Sequence, residues 1–205
     1  MMETFCLEDL YVSRETIEQL NKYLDLLKKW NHTINLVSKN SIPDLWDRHV
    51  LDSAQLLRFY ICKKKNWVDL GSGAGFPGIV ISIIAKEKFP ELKMTLIESD
   101  KRKCAFLSEV ARKLELNIII IPNRIENCLN LHADIISARA LAPIKKLLSF
   151  FVLHGNEDCK GLFLKGKNVH HELSQVVEFN KFRIKVNSSL INSTGFVVEV
   201  EKRNY

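Results

Sequence analysis

Apolar positions recur along residues 13–30 with helical spacing. Ile17, Leu20, Leu24 and Leu27 share one side, and Lys22, Asp25, Lys28 and Lys29 take the other. Ser13 is placed to cap this helix. Residues 42–60 predict a second helix, opened by Ser41 and Pro43 and carrying Leu45, Trp46, Val50, Leu57 and Tyr60. From residue 66 the period changes, and short apolar runs alternate with helical ones. The runs predict strand 66–70, helix 77–88, strand 93–98, helix 101–114 and strand 117–121, then a turn with a short helix at 123–131. Strand 133–138, helix 143–153, strand 160–165 and helix 169–177 continue the series, and strands 181–187 and 195–201 close it without an intervening helix. Alternating strands and helices imply a mostly parallel sheet covered on both faces. The closing pair predicts an antiparallel hairpin at one edge. Residues 1–62 therefore read as a helical N-terminal extension packed on a single α/β unit of residues 63–205.

The strand-to-helix junction at 69–78, Asp-Leu-Gly-Ser-Gly-Ala-Gly-Phe-Pro-Gly, concentrates Gly71, Gly73, Gly75 and Gly78. Glycines there let the backbone approach a ligand and leave the N–H groups of the opening helix free to bind it. Pro77 stands where the first helical turn begins, where its missing N–H is harmless. Two cofactors fit the spacing. Gly73-x-Gly75-x-x-Gly78 matches a dinucleotide fingerprint, with Glu98 following 20 residues after Gly78 for a ribose hydroxyl. Asp69-x-Gly71-x-Gly73-x-Gly75 resembles the first motif of S-adenosylmethionine-dependent methyltransferases. The carboxylate of Asp69 favours the second, because it suits a cofactor carrying an ammonium and a sulfonium and crowds a pyrophosphate.

Composition changes this picture little. Hydrophobic residues are 46% and charged residues 26%, as in ordinary globular domains. No apolar run is long enough to span a bilayer and the N-terminal residues do not form a signal segment, so a cytoplasmic protein is expected. The five cysteines are scattered without a C-x-x-C pair, which argues against disulfides and zinc and for small buried hydrophobes. Lys and Arg outnumber Asp and Glu by 30 to 24, compatible with a polyanionic partner. In Lys181-Phe-Arg183-Ile-Lys185 the charges alternate with apolar residues, predicting either one basic strand face for RNA or a merely solvated one.

Several further segments stand in a fixed order: Asn31-His-Thr-Ile-Asn35-Leu-Val, Arg48-His49-Val-Leu-Asp52-Ser, the glycine loop, Leu96-Ile-Glu98, Asn123-Arg-Ile125-Glu126, Ser137-Ala-Arg139-Ala and Leu164-Lys165-Gly166. Together, over roughly residues 15–200, the chain resembles the bacterial ribosomal RNA small-subunit methyltransferase G family, also called glucose-inhibited division protein B. The resemblance implies a Rossmann-like class I methyltransferase fold with a seven-stranded sheet. It implies transfer of a methyl group from S-adenosylmethionine to N7 of a guanine in 16S rRNA near the decoding centre. It also implies cofactor contacts by Gly71 and Phe76 in the loop, by Ile125 and Glu126 at the adenine end, and by Arg139 at the methionine end. Asp69, Gly73, Gly75 and Glu98 complete the expected cofactor set.

Methylation at N7 uses a ring lone pair and removes no proton, so no general base is expected among the residues. N7 lies in a groove of A-form RNA that side chains cannot enter, so the target must be unpaired or displaced. Asn35, Arg48, His49 and Lys165 are the candidates for the substrate pocket. His49 either lines that pocket or packs in the second helix, hydrogen-bonded to Asp52 or another local partner. Lys165 ends a strand at the ligand crevice, to meet a phosphate or guanine O6 or to remain an ordinary exposed lysine. The partner is 16S rRNA or a small-subunit assembly intermediate, with no membrane and a monomeric enzyme. A nicotinamide-dependent oxidoreductase and a non-catalytic RNA-binding assembly factor are the alternatives.

Overall fold

The computed structural model describes residues 10–61, 63–176 and 179–203. Helix α1 (Arg14–Asn31) begins as expected, with the Ser13 side chain accepting from the Thr16 N–H. Its N-terminus is pinned to the rest of the molecule by Glu87, whose carboxylate accepts from Thr16 Oγ1 at 2.6 Å and from the Ser13 N–H at 3.0 Å. The second expected helix is not one element. A π-helical turn (Trp46–Leu51) runs into a single α-turn, α2 (Asp52–Ala54), and then a 3-10 stretch (Gln55–Phe59). Side-chain donors occupy carbonyls here: Arg139 Nη2 donates to the Arg48 carbonyl at 2.8 Å, and Ser53 Oγ to that of His49 at 2.6 Å. Apolar spacing alone does not register such competition.

Beyond this the alternation holds: β1 (Asn66–Leu70), α3 (Gly78–Lys88), β2 (Lys93–Ile97), α4 (Lys101–Leu114), β3 (Ile118–Ile121), β4 (Ala133–Arg139), α5 (Ile144–His154), β5 (Gly155–Lys165), α6 (Val169–Ser174), β6 (Phe182–Ser188) and β7 (Phe196–Lys202). The sheet order is β3-β2-β1-β4-β5-β7-β6, with β1 to β5 parallel and β7 antiparallel to both its neighbours. Three elements differ from the sequence expectation by more than one residue. The short helix after β3 shrinks to the turn Ile125–Asn127, β5 starts five residues early and is irregular against β4 between Ala133 and Ile135, and α6 ends at Ser174. Residue 177, the expected end of that helix, lies outside the described residues.

Side chains alternate across the sheet. Trp67, Leu96, Ile135, Leu162 and Leu164 join α1, α3 and α4 in one apolar layer, and Val68, Leu70, Ile136, Ala138 and Phe163 join α5 in the other. The extension is thus part of the first core, with Leu20, Tyr23 and Leu27 fully buried. Cys104 and Cys159 are buried and Cys128 is half-buried, while Cys6 and Cys62 lie outside the described residues. The alternating basic run becomes edge strand β6, where Arg183 and Lys185 register against Glu201 and Glu199 of β7. That face is mixed in charge rather than uniformly basic, the two glutamates also pairing with Lys160 of β5.

Candidate cofactor and substrate clefts

The parallel strands open at their C-terminal ends onto the glycine loop, as strand ends do at ligand sites in such sheets. Gly71, Gly73 and Gly75 have φ of 63°, 56° and 98°, left-handed values that a side chain resists. A Cβ at Gly75 would stand 2.5 Å from Ile79 Cγ1, so the turn into α3 is also close-packed. The Phe76–Pro77 peptide is cis, and Pro77 is the N-cap residue of α3, one position earlier than the pattern suggests.

Three supports hold this loop from below and behind. Asp69 is fully buried; its carboxylate accepts from Ser137 Oγ at 2.7 Å and from the Gly78 N–H at 3.3 Å. Burial pushes its carboxyl up to about 6, against the lowering effect of those bonds. Asp69 therefore shapes the loop rather than lining the cleft, a correction to its expected place beside the cofactor. Glu98 accepts from the Gly73 N–H through Oε2 at 2.8 Å and from the Asp100 N–H through Oε1 at 2.8 Å. Tyr23 reaches over from α1 to donate to the Ala74 carbonyl at 2.7 Å, a bond with no counterpart in the sequence pattern.

Two clefts meet at the loop. One, of about 380 Å³, is lined by Gly71, Gly73, Glu98, Ile125, Glu126 and Leu141 among others. Ile125 is buried in its wall, whereas Glu126 is exposed and paired with Lys146 at 2.9 Å. The second, of about 350 Å³, lies on the other side of the loop against Arg48, His49, Phe76 and Arg139. Lys103 and Ala140 border both, and sequence reasoning missed them. Ala140 has φ of 50°, a strained value for alanine of the kind that clusters at functional sites.

Arg139 occupies the junction. Its Nη2 donates to the Arg48 carbonyl, its Nε lies 3.5 Å from Asp52 Oδ2, and its guanidinium sits 5.8 Å from the Phe76 ring centroid. Its Nη1 is buried with no hydrogen-bond partner. A buried donor without an acceptor carries a desolvation cost and marks a place for an anionic oxygen. His49 stacks on Phe76 with centroids 4.7 Å apart, and both ring nitrogens are buried without partners. The expected bond to Asp52 is absent, because Asp52 turns to Arg139 and takes the Gln55 amide at 2.8 Å. Burial, reinforced by Arg139 and Arg48, holds the imidazole down at about 3, so it stays neutral.

The remaining candidates divide. Arg48 is exposed and borders the second cleft. Asn35 is exposed and borders no cleft described here, although Leu36 and Val37 after it do, their N–H groups held by Asn31 Oδ1 at 2.9 and 3.0 Å. Lys165 is neither free nor fully exposed: its Nζ lies 2.7 Å from Glu172 Oε2 and donates to the Ala142 carbonyl. A larger cavity of about 710 Å³ lies at the opposite end of the strands, around Lys64, Asp158 and Arg183. It shares no residue with the glycine loop. Among the described residues, no group of His, Cys, Asp and Glu is arranged to hold a metal ion.

A family model for rRNA small subunit methyltransferase G matches residues 16–195. The chain belongs to that family. Curated members of the methyltransferase G family include one from Paramagnetospirillum magneticum, 45% identical and covering 93% of this chain and 91% of the relative. Another, from Orientia tsutsugamushi, is 43% identical over 93% of this chain and 92% of the relative. Solved structures show the same fold at low identity. The ribosomal protein L11 methylase of Lactobacillus delbrueckii aligns with a TM-score of 0.62 at 16% identity, covering 77% of this chain and 79% of that one. A SAM-dependent methyltransferase from Aquifex aeolicus gives 0.61 at 17% identity, covering 77% and 92%. The oxidoreductase and non-catalytic alternatives fall with the family assignment, and the chain is an S-adenosylmethionine-dependent methyltransferase.

Proposed function

We propose that this protein methylates N7 of a guanine in 16S rRNA, using S-adenosylmethionine. The observation that carries the cofactor's placement is the unpartnered Arg139 Nη1 beside a glycine loop in left-handed conformation. The residues fit the group: Arg139 for a carboxylate, Gly71 and Gly73 for close backbone approach, Glu98 near the ribose, and Ile125 against the adenine. When bound, the cofactor supplies an electrophilic methyl group on a sulfonium. The chain's own contribution is to place the base beside it, and such positioning is worth roughly 7–11 kcal/mol.

The titratable groups favour an acceptor that loses no proton. His49, held at about 3, is too weak a base to act near neutrality. Asp52 and Glu172 are committed to Arg139 and Lys165. A ring nitrogen lone pair needs none of them. The enzyme acts as a cytoplasmic monomer on 16S rRNA or a small-subunit intermediate in which the guanine is displaced from its stack.

Calorimetry with S-adenosylmethionine, S-adenosylhomocysteine and NAD, on wild type and Gly73→Val, tests the cofactor site. Valine at φ 56° is strained by its β-branch, not by contacts, since its Cβ meets only the Gly71 carbonyl at 3.8 Å. Binding of the first two alone, lost in the variant, is expected. Binding of NAD alone, or equal binding by the variant, contradicts the assignment.

A further inference from the structure

A third cleft, of about 340 Å³, adjoins the second through Arg48, Arg139 and Ala140 and is otherwise built by the loops after β5 and between β6 and β7. Its polar groups are lopsided. Its carboxylates and the Asn192 amide oxygen already hold donors: Asp52 takes Gln55 and faces Arg139, Glu172 Oε2 takes Lys165 and the Ile144 N–H at 2.8 Å, and Asn192 Oδ1 takes the N–H and hydroxyl of Thr194, both at 3.0 Å. The unused groups are donors. Arg48 and Lys167 are exposed at the rim, and neither side chain has an anionic partner among the described residues. Fixing the Asn192 oxygen leaves its amide nitrogen as a further donor.

The walls are also tied together in advance. Gln55, two turns after Arg48, donates to Ser189 Oγ at 3.0 Å and accepts from the Leu190 N–H at 3.1 Å. The helical run carrying Arg48 and the hairpin loop carrying Asn192 are thereby held as one rigid frame. A cleft with unpaired cations at its rim, carboxylates already paired to cations or amides, and tied walls suits an anion.

We propose that this cleft holds a backbone phosphate of the RNA beside the displaced target nucleotide, gripped by Arg48, Lys167 and the Asn192 amide. The proposal rests on the RNA-methyltransferase reading above. It follows from geometry: the second cleft and this one share Arg48, Arg139 and Ala140, so a nucleotide whose base enters the second cleft has its flanking phosphodiester nearest the rim where these cations stand. Lys165 and Arg139 shape the cleft but are neutralised by Glu172 and Asp52 and add less to phosphate binding.

The test measures binding of a labelled RNA stem-loop with a guanine in its loop, across a salt series, for wild type, Arg48→Glu, Lys167→Glu and, at the far end of the sheet, Arg183→Glu. Calorimetry with S-adenosylmethionine on each protein reports that the fold and cofactor site are intact. Each of the first two variants is expected to bind RNA at least tenfold more weakly and to lower the salt slope by about 0.7. Both are expected to bind cofactor as wild type does, and Arg183→Glu is expected to change neither. Unchanged RNA affinity and slope in Arg48→Glu and Lys167→Glu, with RNA methylation by wild type intact, would overturn the phosphate site alone. Failure of wild type to methylate RNA would instead overturn the function on which it rests. Guanosine monophosphate binding more tightly than RNA, and lost in the same variants, would reassign the cleft to a free nucleotide.

Discussion

Replacing Asp69 by asparagine isolates the charge that holds the glycine loop from below. In the native protein burial raises its carboxyl from 3.8 to about 6, outweighing the hydrogen bonds from Ser137, Ser72 and Gly78. The folded state thus binds this proton more tightly than the unfolded one. Its contribution to stability is complete below about pH 3.8 and is lost as the pH rises through about 6. At about 1.4 kcal/mol per pH unit, the difference approaches about 3 kcal/mol at neutrality. Asparagine keeps an oxygen for the Gly78 N–H and offers its NH₂ to Ser137 Oγ, without ionising. Other carboxylates act in the opposite sense. Glu87, held at about 2 mainly by the Thr16 hydroxyl, stabilises above its unfolded value and loses that effect in acid. The wild-type profile therefore sums opposing slopes, and the difference between the two proteins reports Asp69. Urea unfolding of both, from about pH 4 to about pH 7, should show the gap moving in favour of Asp69→Asn by about 2.4 kcal/mol. A constant gap, or one moving in favour of wild type, would refute the reasoning.

Other supports of the site give separate expectations. Tyr23→Phe removes the donor to the buried Ala74 carbonyl and should lower stability by about 1–3 kcal/mol in urea unfolding, with weaker cofactor binding by calorimetry. Gly75→Ala places a methyl 2.5 Å from Ile79 Cγ1 at φ 98°, and should destabilise by roughly 2–4 kcal/mol, read as a fall in Tm. Arg139→Lys keeps a cation near Asp52 but loses the fork that reaches both the Arg48 carbonyl and a ligand carboxylate. Cofactor affinity should fall about tenfold or more, equivalent to roughly 1.5–3 kcal/mol, while Tm changes little.

The sheet, its hairpin edge and the glycine loop were legible because each rests on local spacing. Short apolar runs, most of them between helical segments, marked β1 to β7, and Ser13 and the glycine cluster marked helix starts through their own backbone chemistry. What escaped was set by partners far along the chain. At the π-turn Trp46–Leu51 the Arg48 carbonyl accepts from Arg139, which lies 91 residues away in sequence. Lys165 is drawn from its expected role by Glu172, and His49 loses Asp52 to Arg139. The supposed basic strand is interrupted by glutamates that only the β6–β7 register brings alongside. Lys103 and Lys167 stand out in the sequence only as members of basic runs and Asn192 belongs to no motif; only the closing of the clefts assembles them.

The most direct test of the central claim is to incubate unmethylated small-subunit rRNA, free and in assembled subunits, with the protein and radiolabelled S-adenosylmethionine. Borohydride reduction and aniline then cleave the chain wherever N7 of guanine carries the methyl. Label on the RNA together with cleavage at a single guanine is the predicted result. Label on another atom, shown by methylated RNA that resists cleavage, or cofactor binding without labelling of either RNA form, would contradict the account.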